Sequence, residues 1–157
     1  MKILLAVDGS HGSDAAVQQV LARPWPDGSE VKILSVVELL TTVTAENFWV
    51  PSSYYLNLEQ SLQAQANAAI ERAEARFQAA QSPLKVTTEI LNGVAKEAIV
   101  EEADRWGADW IVVGSHGYRG LKKLWYGSVS QAVASHAHCS VEIVRAESKS
   151  NHEKQHS

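Results

Sequence analysis

The residues with the clearest chemical potential lie in a glycine-rich stretch near the C-terminal end of the chain. Gly114, Gly117 and the pair Gly127-Ser128 are spaced as G-x2-G-x9-G-S, and Ser130 follows two residues later. Glycines let a backbone approach a ligand closely and adopt positive φ angles. If Gly127-Ser128 opens a helix, the free N–H groups and positive dipole end of that helix form a phosphate site, with the two serine hydroxyls as further donors. The spacing therefore predicts a phosphate-bearing ligand.

A second reactive group, the carboxylate of Asp8, ends the first apolar run of the chain and precedes Gly9. This carboxylate can contact a metal-bound nucleotide, or it can simply stabilise the turn. The glycine-rich stretch has a plain alternative as well, in which Gly114 and Gly117 shape a turn and Ser128 caps a helix. In both places we favour the ligand interpretation because of where these residues fall in the predicted fold.

Alternating apolar runs and helical patterns predict an α/β fold of five strands and four helices. The predicted strands cover residues 3–7, 31–37, 84–91, 109–113 and 141–145, and the predicted helices cover residues 14–21, 58–80, 95–106 and 127–137. Ser13 is the predicted cap of the first helix. This alternation implies right-handed βαβ units, and so a three-layer sandwich whose five-stranded parallel sheet is covered on both faces.

The polarity of each strand predicts its place in the sheet. The first and fourth strands are almost entirely apolar, as expected for central strands that are buried on both faces. The third and fifth strands alternate apolar and polar residues, which is typical of edge strands with one wetter face. The order 3-2-1-4-5 satisfies both observations. Ligands of such sheets bind beyond the carboxyl ends of the strands at the topological switch point, where Asp8, Gly9 and Gly114 fall.

Composition and charge restrict the class of protein. The 157 residues, 45% of them hydrophobic, fit one domain. We expect this domain to cover residues 1–146, and we expect residues 147–157 to form a polar, disordered tail. No apolar run approaches the length of about 18 residues that a membrane span needs. The single cysteine suits a reducing, cytoplasmic location, and the net charge of −4 disfavours nucleic acid as a partner.

Missing motifs favour binding over catalysis. The chain has no G-x-x-x-x-G-K-[ST] loop, no G-x-G-x-x-G after the first strand and no G-x-S-x-G elbow. We find no general base placed to activate attack on a phosphate, which an efficient phosphate-cleaving enzyme needs. The chain is therefore expected to bind its ligand, with slow hydrolysis at most.

Several other residues have two interpretations. Arg119, Lys122 and Lys123 can raise the local potential for phosphates or form a solvated loop. The histidines 116, 136 and 138 lack cysteine or carboxylate neighbours at zinc-site spacing, which disfavours a metal held by protein alone. Cys139 fits a small core residue better than a nucleophile.

An aromatic segment, residues 41–55, interrupts the regular alternation of strands and helices. It contains Phe48, Trp49, Tyr54 and Tyr55 and has no clear periodicity. Long loops in compact domains are often lids or binding surfaces. The aromatic segment can cover a nucleotide, meet a partner or form a satellite packing cluster.

From Lys2 to about Arg145 the chain resembles the universal stress protein family. The resemblance is carried by Ile-Leu-Leu-Ala-Val-Asp-Gly-Ser at the start, by Val-Val at the end of the second strand, and by Val-Gly-Ser-His-Gly through Gly-Ser-Val-Ser. The loop G-x2-G-x9-G-[ST] is similar to that of the family's ATP-binding branch. The resemblance implies ATP, with Mg²⁺, as the ligand, the sheet order 3-2-1-4-5, and homodimers joined through the last strand.

The resemblance also implies roles for particular residues. Asp8 would lie near the ribose and a metal-bound phosphate, Val36 would offer its backbone and side chain to adenine, and residues 127–130 would hold the phosphates. The implied binding set is Asp8, Gly9, Val36, Val37, Gly114, His116, Gly117, Gly127, Ser128, Val129 and Ser130. Two residues depart from the family pattern: Ser140 replaces the proline that often follows the cysteine, and Glu142 replaces an apolar residue. Both departures concern the dimer edge.

Three functions remain to be compared. The first, which we favour, is an ATP-binding stress-response or signalling module. The second is a slow Mg²⁺-dependent ATPase that uses the same loop together with Asp8. The third is a nucleotide-free protein-interaction domain that uses the aromatic segment.

Overall fold

The computed structural model describes residues 1–39, 52–116 and 127–146. Its strands are β1 (Lys2–Ala6), β2 (Glu30–Val37), β3 (Lys85–Asn92), β4 (Trp110–Gly114) and β5 (Ser140–Val144), and its helices are α1 (His11–Ala22), α2 (Ser52–Ala79), α3 (Ala95–Trp106) and α4 (Ser128–His136). All four strand pairings are parallel, and the order is β3-β2-β1-β4-β5. The predicted α/β fold and strand order are confirmed. None of the described helices is long and apolar enough to cross a membrane.

The core lies on both faces of the sheet, and β1 contributes to both. Ile3 and Leu5 pack with residues of α1 and α2, whereas Leu4 packs with residues of α3 and α4. All three side chains are completely buried. Full burial of such a side chain contributes about 1.5–3 kcal/mol. This burial fixes β1 at the centre of the sheet. Its carboxyl end therefore lies in the middle of the edge where the strands end and where the site is predicted.

A group of four charged residues, here called the charge network, lies between the sheet and α3. Lys32 donates to Glu102 at 2.5 Å and to Glu89 at 3.0 Å. Arg105 donates through Nε to Glu102 at 2.7 Å and through its terminal nitrogen to Glu89 at 3.0 Å. Glu102 is only 2% exposed. Burial alone would raise the pKa of Glu102, but the hydrogen bonds from Lys32 and Arg105 outweigh burial and lower it.

The start of α1 differs from its prediction. The cap is Ser10, whose Oγ accepts a hydrogen bond from the Ser13 N–H at 3.2 Å, so Ser13 as the cap was wrong. The helix begins earlier because Gly12 can enter its first turn. A Cβ at Gly12 would lie 2.2 Å from the carbonyl oxygen of His116, a contact that only glycine avoids. From the sequence alone Gly12 is expected to lie before the helix, because glycine has a low helix propensity.

Helix α2 begins six residues before the predicted start. Its first ten residues, 52–61, are all exposed. Burial begins at the downstream stripe that contains Ala66, Ala69 and Phe77. The prediction followed an apolar stripe that starts at Leu58, and it did not include the exposed turn before that residue.

The two edge strands are less alike than their patterns suggested. In β3, Lys85 and Thr87 are exposed on one face, which agrees with a wetter face, and Thr88 is exposed on the other. In β5 the residues from Val141 to Val144 are all partly buried. Val141 and Ile143 pack on the α3–α4 side of the sheet, and on the other face Glu142 pairs with Arg23 at the end of α1 at 2.8 Å.

Candidate functional site

The loop after β1 is organised by hydrogen bonds to its own backbone. One carboxylate oxygen of Asp8 accepts from the Ser10 N–H at 2.9 Å, and the Gly9 N–H donates to Ser13 Oγ at 3.2 Å. Gly9 has a φ of +81°, which a residue with a side chain adopts only with strain. The carboxylate of Asp8 therefore supports the turn, and the residue itself is exposed at the edge of the site.

The exits of β1 and β4 meet through their backbones. A Cβ at Gly114 would lie 2.4 Å from the carbonyl carbon of Gly12. Ser10 donates through its hydroxyl to the carbonyl of His116 at 3.3 Å. Gly114 is thus required for close packing of β4 against the first turn of α1. This contact holds the two loops together at the switch point.

The beginning of α4 leaves its first N–H groups unused by the helix. Gly127 is the N-cap and provides no side-chain hydrogen bond. The first helical bond runs from the Gln131 N–H to the Gly127 carbonyl. The N–H groups of residues 128–130 therefore have no partner within the helix. Ser130 is buried and donates its hydroxyl to the Gly127 carbonyl at 2.9 Å, whereas Ser128 is exposed.

Gly127 is held against the loop that follows β4. Its N–H donates to the Ser115 carbonyl at 2.5 Å, and a Cβ at Gly127 would lie 2.9 Å from that oxygen. A larger residue at this position would push the start of α4 away from β4. The glycine thus places the unused N–H groups next to the switch point.

The end of β2 provides a second set of open backbone groups. The ladder between β1 and β2 stops at Ala6 and Leu34, and the Leu34 carbonyl accepts from Val7. The Val37 carbonyl instead accepts from Gly93, on the β3 side. Because successive residues of a parallel strand face alternate sides, the N–H and C=O of Val36 face the side where β1 has ended.

These features surround one cleft of about 450 Å³, a size that is usual for small-molecule sites. Its walls come from the ends of β1, β2 and β4, the start of α1, the middle of α2 and the starts of α3 and α4. The residues that the site prediction shares with this lining are Asp8, Val36, Val37, Gly114, His116, Gly127, Ser128, Val129 and Ser130.

Two predicted site residues are not among the described residues that line this cleft. Gly9 lines an adjoining concavity of about 670 Å³, which also contains Arg72 and Arg145. Gly117 lies outside the described residues, as do Arg119, Lys122 and Lys123 and most of the aromatic segment. Of that segment the structure describes Tyr54 and Tyr55, both exposed on the first turns of α2.

The sequence analysis missed several lining residues. Ser10 and Ser13 hold the loop after β1, and Ser115 receives the Gly127 N–H. Ser35 and Gln65 line the cleft from β2 and α2. A serine inside the apolar run of β2 was a detectable signal. Gln65 carried none, because its position depends on how α2 packs on the sheet.

The rim of the site is tied together by arginines from α2. Arg72 donates to the Gly9 carbonyl at 2.5 Å and to Asp14 at 3.1 Å. Arg76 donates to the Asp14 carbonyl at 3.0 Å. These bonds anchor the start of α1 to α2 and place positive charge near the loop.

The remaining candidates for metal or nucleophilic chemistry lie apart from one another. His136 contacts the Ala132 carbonyl, and His138 contacts Asp104. Within the described ranges no group of three histidine, cysteine, aspartate or glutamate residues is placed to hold a metal ion. Burial, followed by the negative charge of Asp104, raises the pKa of the Cys139 thiol, which disfavours a reactive thiolate.

Fold and site together define an α/β domain with a ligand cleft at the switch point of a parallel sheet. A model of the universal stress protein family matches residues 1–145. Universal stress protein MJ0531 of Methanocaldococcus jannaschii is 32% identical over 94% of this chain and 84% of its own. Universal stress protein YxiE of Bacillus subtilis is 31% identical over 92% of this chain and 98% of its own. The chain belongs to the universal stress protein family.

Solved structures have the same fold. The hypothetical protein MJ0577, whose biochemical function was assigned from its structure, matches with a TM-score of 0.77 and 26% identity over 94% of this chain and 97% of its own. An AMP-bound family member from Arabidopsis thaliana has a TM-score of 0.68 at 19% identity, covering 94% and 93%. A universal stress protein in complex with cAMP has a TM-score of 0.68 at 23% identity, covering 94% and 98%. The last two likenesses concern the fold alone.

Proposed function

We propose that this protein is an ATP-binding module of the cytoplasmic stress response, with the nucleotide held at the switch point by the G-x2-G-x9-G-S loop. The observation that carries the proposal is the uncapped start of α4. Its unused N–H groups, at residues 128–130, lie beside a cleft whose other walls are largely apolar. Such a helix end attracts phosphates through its N–H groups and its dipole.

The remaining parts of the nucleotide have matching surroundings. Adenine presents a donor and an acceptor side by side, and the Val36 N–H and C=O offer the complementary pair. Asp8 lies at the edge of the cleft, where its carboxylate can meet the ribose and a Mg²⁺-bound phosphate. Members of the same fold family that carry AMP or cAMP support an adenine nucleotide as the ligand.

Calorimetric titration of nucleotide-stripped protein with ATP and Mg²⁺ tests the proposal. We expect saturable binding near one ATP per chain. Gly127→Val should abolish it, because the added side chain would collide with the Ser115 carbonyl. Ala134→Val, on the exposed side of the same helix, is the control and should bind normally. Normal binding by Gly127→Val would contradict the site assignment.

A charge reversal at Ser128 separates ligand binding from folding. Ser128→Asp places a carboxylate at the first turn of α4, where it should stabilise the helix and repel phosphates. We expect ATP affinity to fall at least tenfold with no loss of thermal stability, and Ser128→Asn to stay close to wild type. Equal affinity in the Asp and Asn variants would exclude the α4 start as the phosphate site.

We further propose a homodimer joined through β5, the edge strand next to β4. Its Val141 and Ile143 are partly buried within one chain and leave area for a second copy. Arg23 neutralises the charge of Glu142, so this carboxylate no longer disfavours pairing of β5 with the same strand of a second chain. Sedimentation analysis should give twice the monomer mass, and Ile143→Lys should give the monomer. A monomeric wild type would overturn this proposal.

One observation favours a second function, a nucleotide-free interaction domain. Tyr54, Tyr55, Leu56 and Leu58 on the first turns of α2 are all exposed, Tyr54 by 60%. Exposed apolar groups of this kind often mark protein contacts. Stable capture of a protein partner by nucleotide-free protein, together with no heat on ATP titration, would favour this function over nucleotide binding.

A further inference from the structure

We propose that Ser35 and Gln65, here called the α2 wall, bind the second hydrogen-bonding edge of the adenine base, which carries N7 and the 6-amino group. The inference rests on the proposed function, since it assigns a further contact to the base in the same site. It is carried by two polar side chains that line the cleft on the side of the sheet covered by α2.

Ser35 is a buried hydroxyl in an otherwise apolar stretch of β2. It is 3% exposed and lies between Leu34 and Val36. In the described part of the chain its Oγ has no hydrogen-bond partner, and this oxygen is not sealed from solvent. The hydroxyl therefore retains access through the cleft that Ser35 lines. A hydroxyl that opens into a cleft and has no partner among the described residues can bond a ligand that enters the cleft.

Gln65 lies on α2 next to the buried Ala66, over the same face of the sheet as Ser35. Strand alternation places Ser35 on that face, because Ile33 packs with α1 and α2 while Leu34 packs with α3 and α4. The amide of Gln65 carries donors and an acceptor. Within the described ranges it makes no hydrogen bond, so its pairing capacity is available to a ligand.

Adenine has two hydrogen-bonding edges, one that suits the Val36 backbone and one that suits the α2 wall. One edge of the base presents N1 and the 6-amino group, which suit the Val36 N–H and C=O. The other edge presents N7, an acceptor, and the second hydrogen of the same amino group. A glutamine amide pairs with N6 and N7 together, and a serine hydroxyl can donate to N7. Guanine has an oxygen at position 6, so the Val36 carbonyl would face an acceptor.

The test compares ATP, 7-deaza-ATP and GTP by calorimetry on nucleotide-stripped full-length protein with Mg²⁺. The 7-deaza analogue removes N7 and leaves the other edge intact. Wild type should bind 7-deaza-ATP about three- to tenfold more weakly than ATP, the effect of one hydrogen bond. Ser35→Ala and Gln65→Ala should each lose affinity for ATP by a similar factor. In both variants the affinities for ATP and 7-deaza-ATP should differ less than they do in wild type.

Two matched variants serve as controls. Ser29 is equally buried but donates its hydroxyl to the Pro26 carbonyl at 2.6 Å. Gln78 is exposed on α2 far along the helix from the cleft. Ser29→Ala and Gln78→Ala should keep the wild-type preference for ATP over the deaza analogue.

The outcomes separate the two proposals. If wild type binds ATP and 7-deaza-ATP equally and both wall variants behave like wild type, the α2 wall is refuted while nucleotide binding stands. If wild type binds no ATP, both proposals fail. If Ser35→Ala does not fold, the proposal is tested by the preference of wild type for ATP over 7-deaza-ATP. Loss of that preference in Gln65→Ala supports the α2 wall, and its retention refutes it.

Discussion

The charge network and the cleft both contain polar groups inside the protein, but those of the network are paired with one another and those of the cleft are open. In the network, Lys32 and Glu102 satisfy each other at 2.5 Å, and Arg105 completes the set. In the cleft, the N–H groups at the start of α4 have no partner within the helix, and the hydroxyl of Ser35 has none among the described residues. Polar groups that are paired within the chain stabilise the fold. Polar groups that remain open indicate where a ligand belongs.

The largest effect is expected from breaking the network. Glu102→Ala leaves the partly buried Lys32 with only Glu89 as its partner, so we expect a loss of about 3 kcal/mol, the lower end of the range for breaking a buried pair. Urea unfolding should reveal this loss. Glu101→Ala, at the exposed neighbouring position, should change the free energy of unfolding by no more than about 0.5 kcal/mol. Equal behaviour of the two variants would mean that the network is not stabilising.

Damage to the backbone contact between the two loops should cost less stability but also affect binding. Gly114→Ala forces a Cβ to within 2.4 Å of Gly12, and overpacking of this kind costs about 1–3 kcal/mol. ATP affinity should fall as well, because β4 and α1 would move apart at the site. A variant with unchanged melting temperature and unchanged ATP affinity would contradict the role given to Gly114.

The same contrast between paired and open groups exists within the cleft, at the starts of α1 and α4. Ser10 caps α1 with its hydroxyl, so Ser10→Ala should destabilise the protein by about 1 kcal/mol. Helix α4 has no side-chain cap, so Ser128→Ala should change stability by no more than about 0.5 kcal/mol. Thermal unfolding of both variants measures the contrast. A larger loss in Ser128→Ala would mean that α4 depends on this hydroxyl for its stability.

The smallest and most gradual effect is expected from pH. The pKa of Glu102 is lowered, so its contribution is complete above the ordinary carboxyl value of about 4.3 and is lost as pH falls through the folded value. Burial alone would lower the pKa of Lys32, but Glu102 and Glu89 raise it. Its contribution is therefore complete below about 10.4 and is lost as pH rises further.

Paired urea unfolding of wild type and Glu102→Gln measures this dependence. The difference in unfolding free energy between the two should stay level from about pH 5 to pH 9 and shrink on either side. Growth of the difference at low pH would show that the sign assigned to Glu102 is wrong.

The sequence predicted the sheet well because strand polarity depends directly on burial. The apolar β1 and β4 are central, and the alternating β3 and β5 are edges. Helix starts were predicted less well, because they depend on contacts between distant parts of the chain. Gly12 lies in the first turn of α1, where a side chain would collide with His116, and the apolar residues on the first turns of α2 remain exposed, so burial does not mark where that helix begins.

In the candidate site, too, local features could be predicted and those that depend on distant contacts could not. Gly127 and Ser128 were recognisable because glycine followed by a helix start has a local signature. Val36 came from the family resemblance, and the unequal lengths of β1 and β2 explain its position. Gln65 could not be found in advance, because nothing in its neighbourhood indicates which residue of α2 will lie over the cleft.

The early end of β1 has a consequence for how this family can diverge. Ladder pairing stops at Leu34, while β2 continues to Val37, so a gap in the sheet itself forms part of the cleft. A gap made by strand length persists when side chains are exchanged, and it closes when one residue is inserted before Asp8 and extends β1. Over evolutionary time the ends of β1 and β2 should therefore accept side-chain substitutions more readily than insertions or deletions.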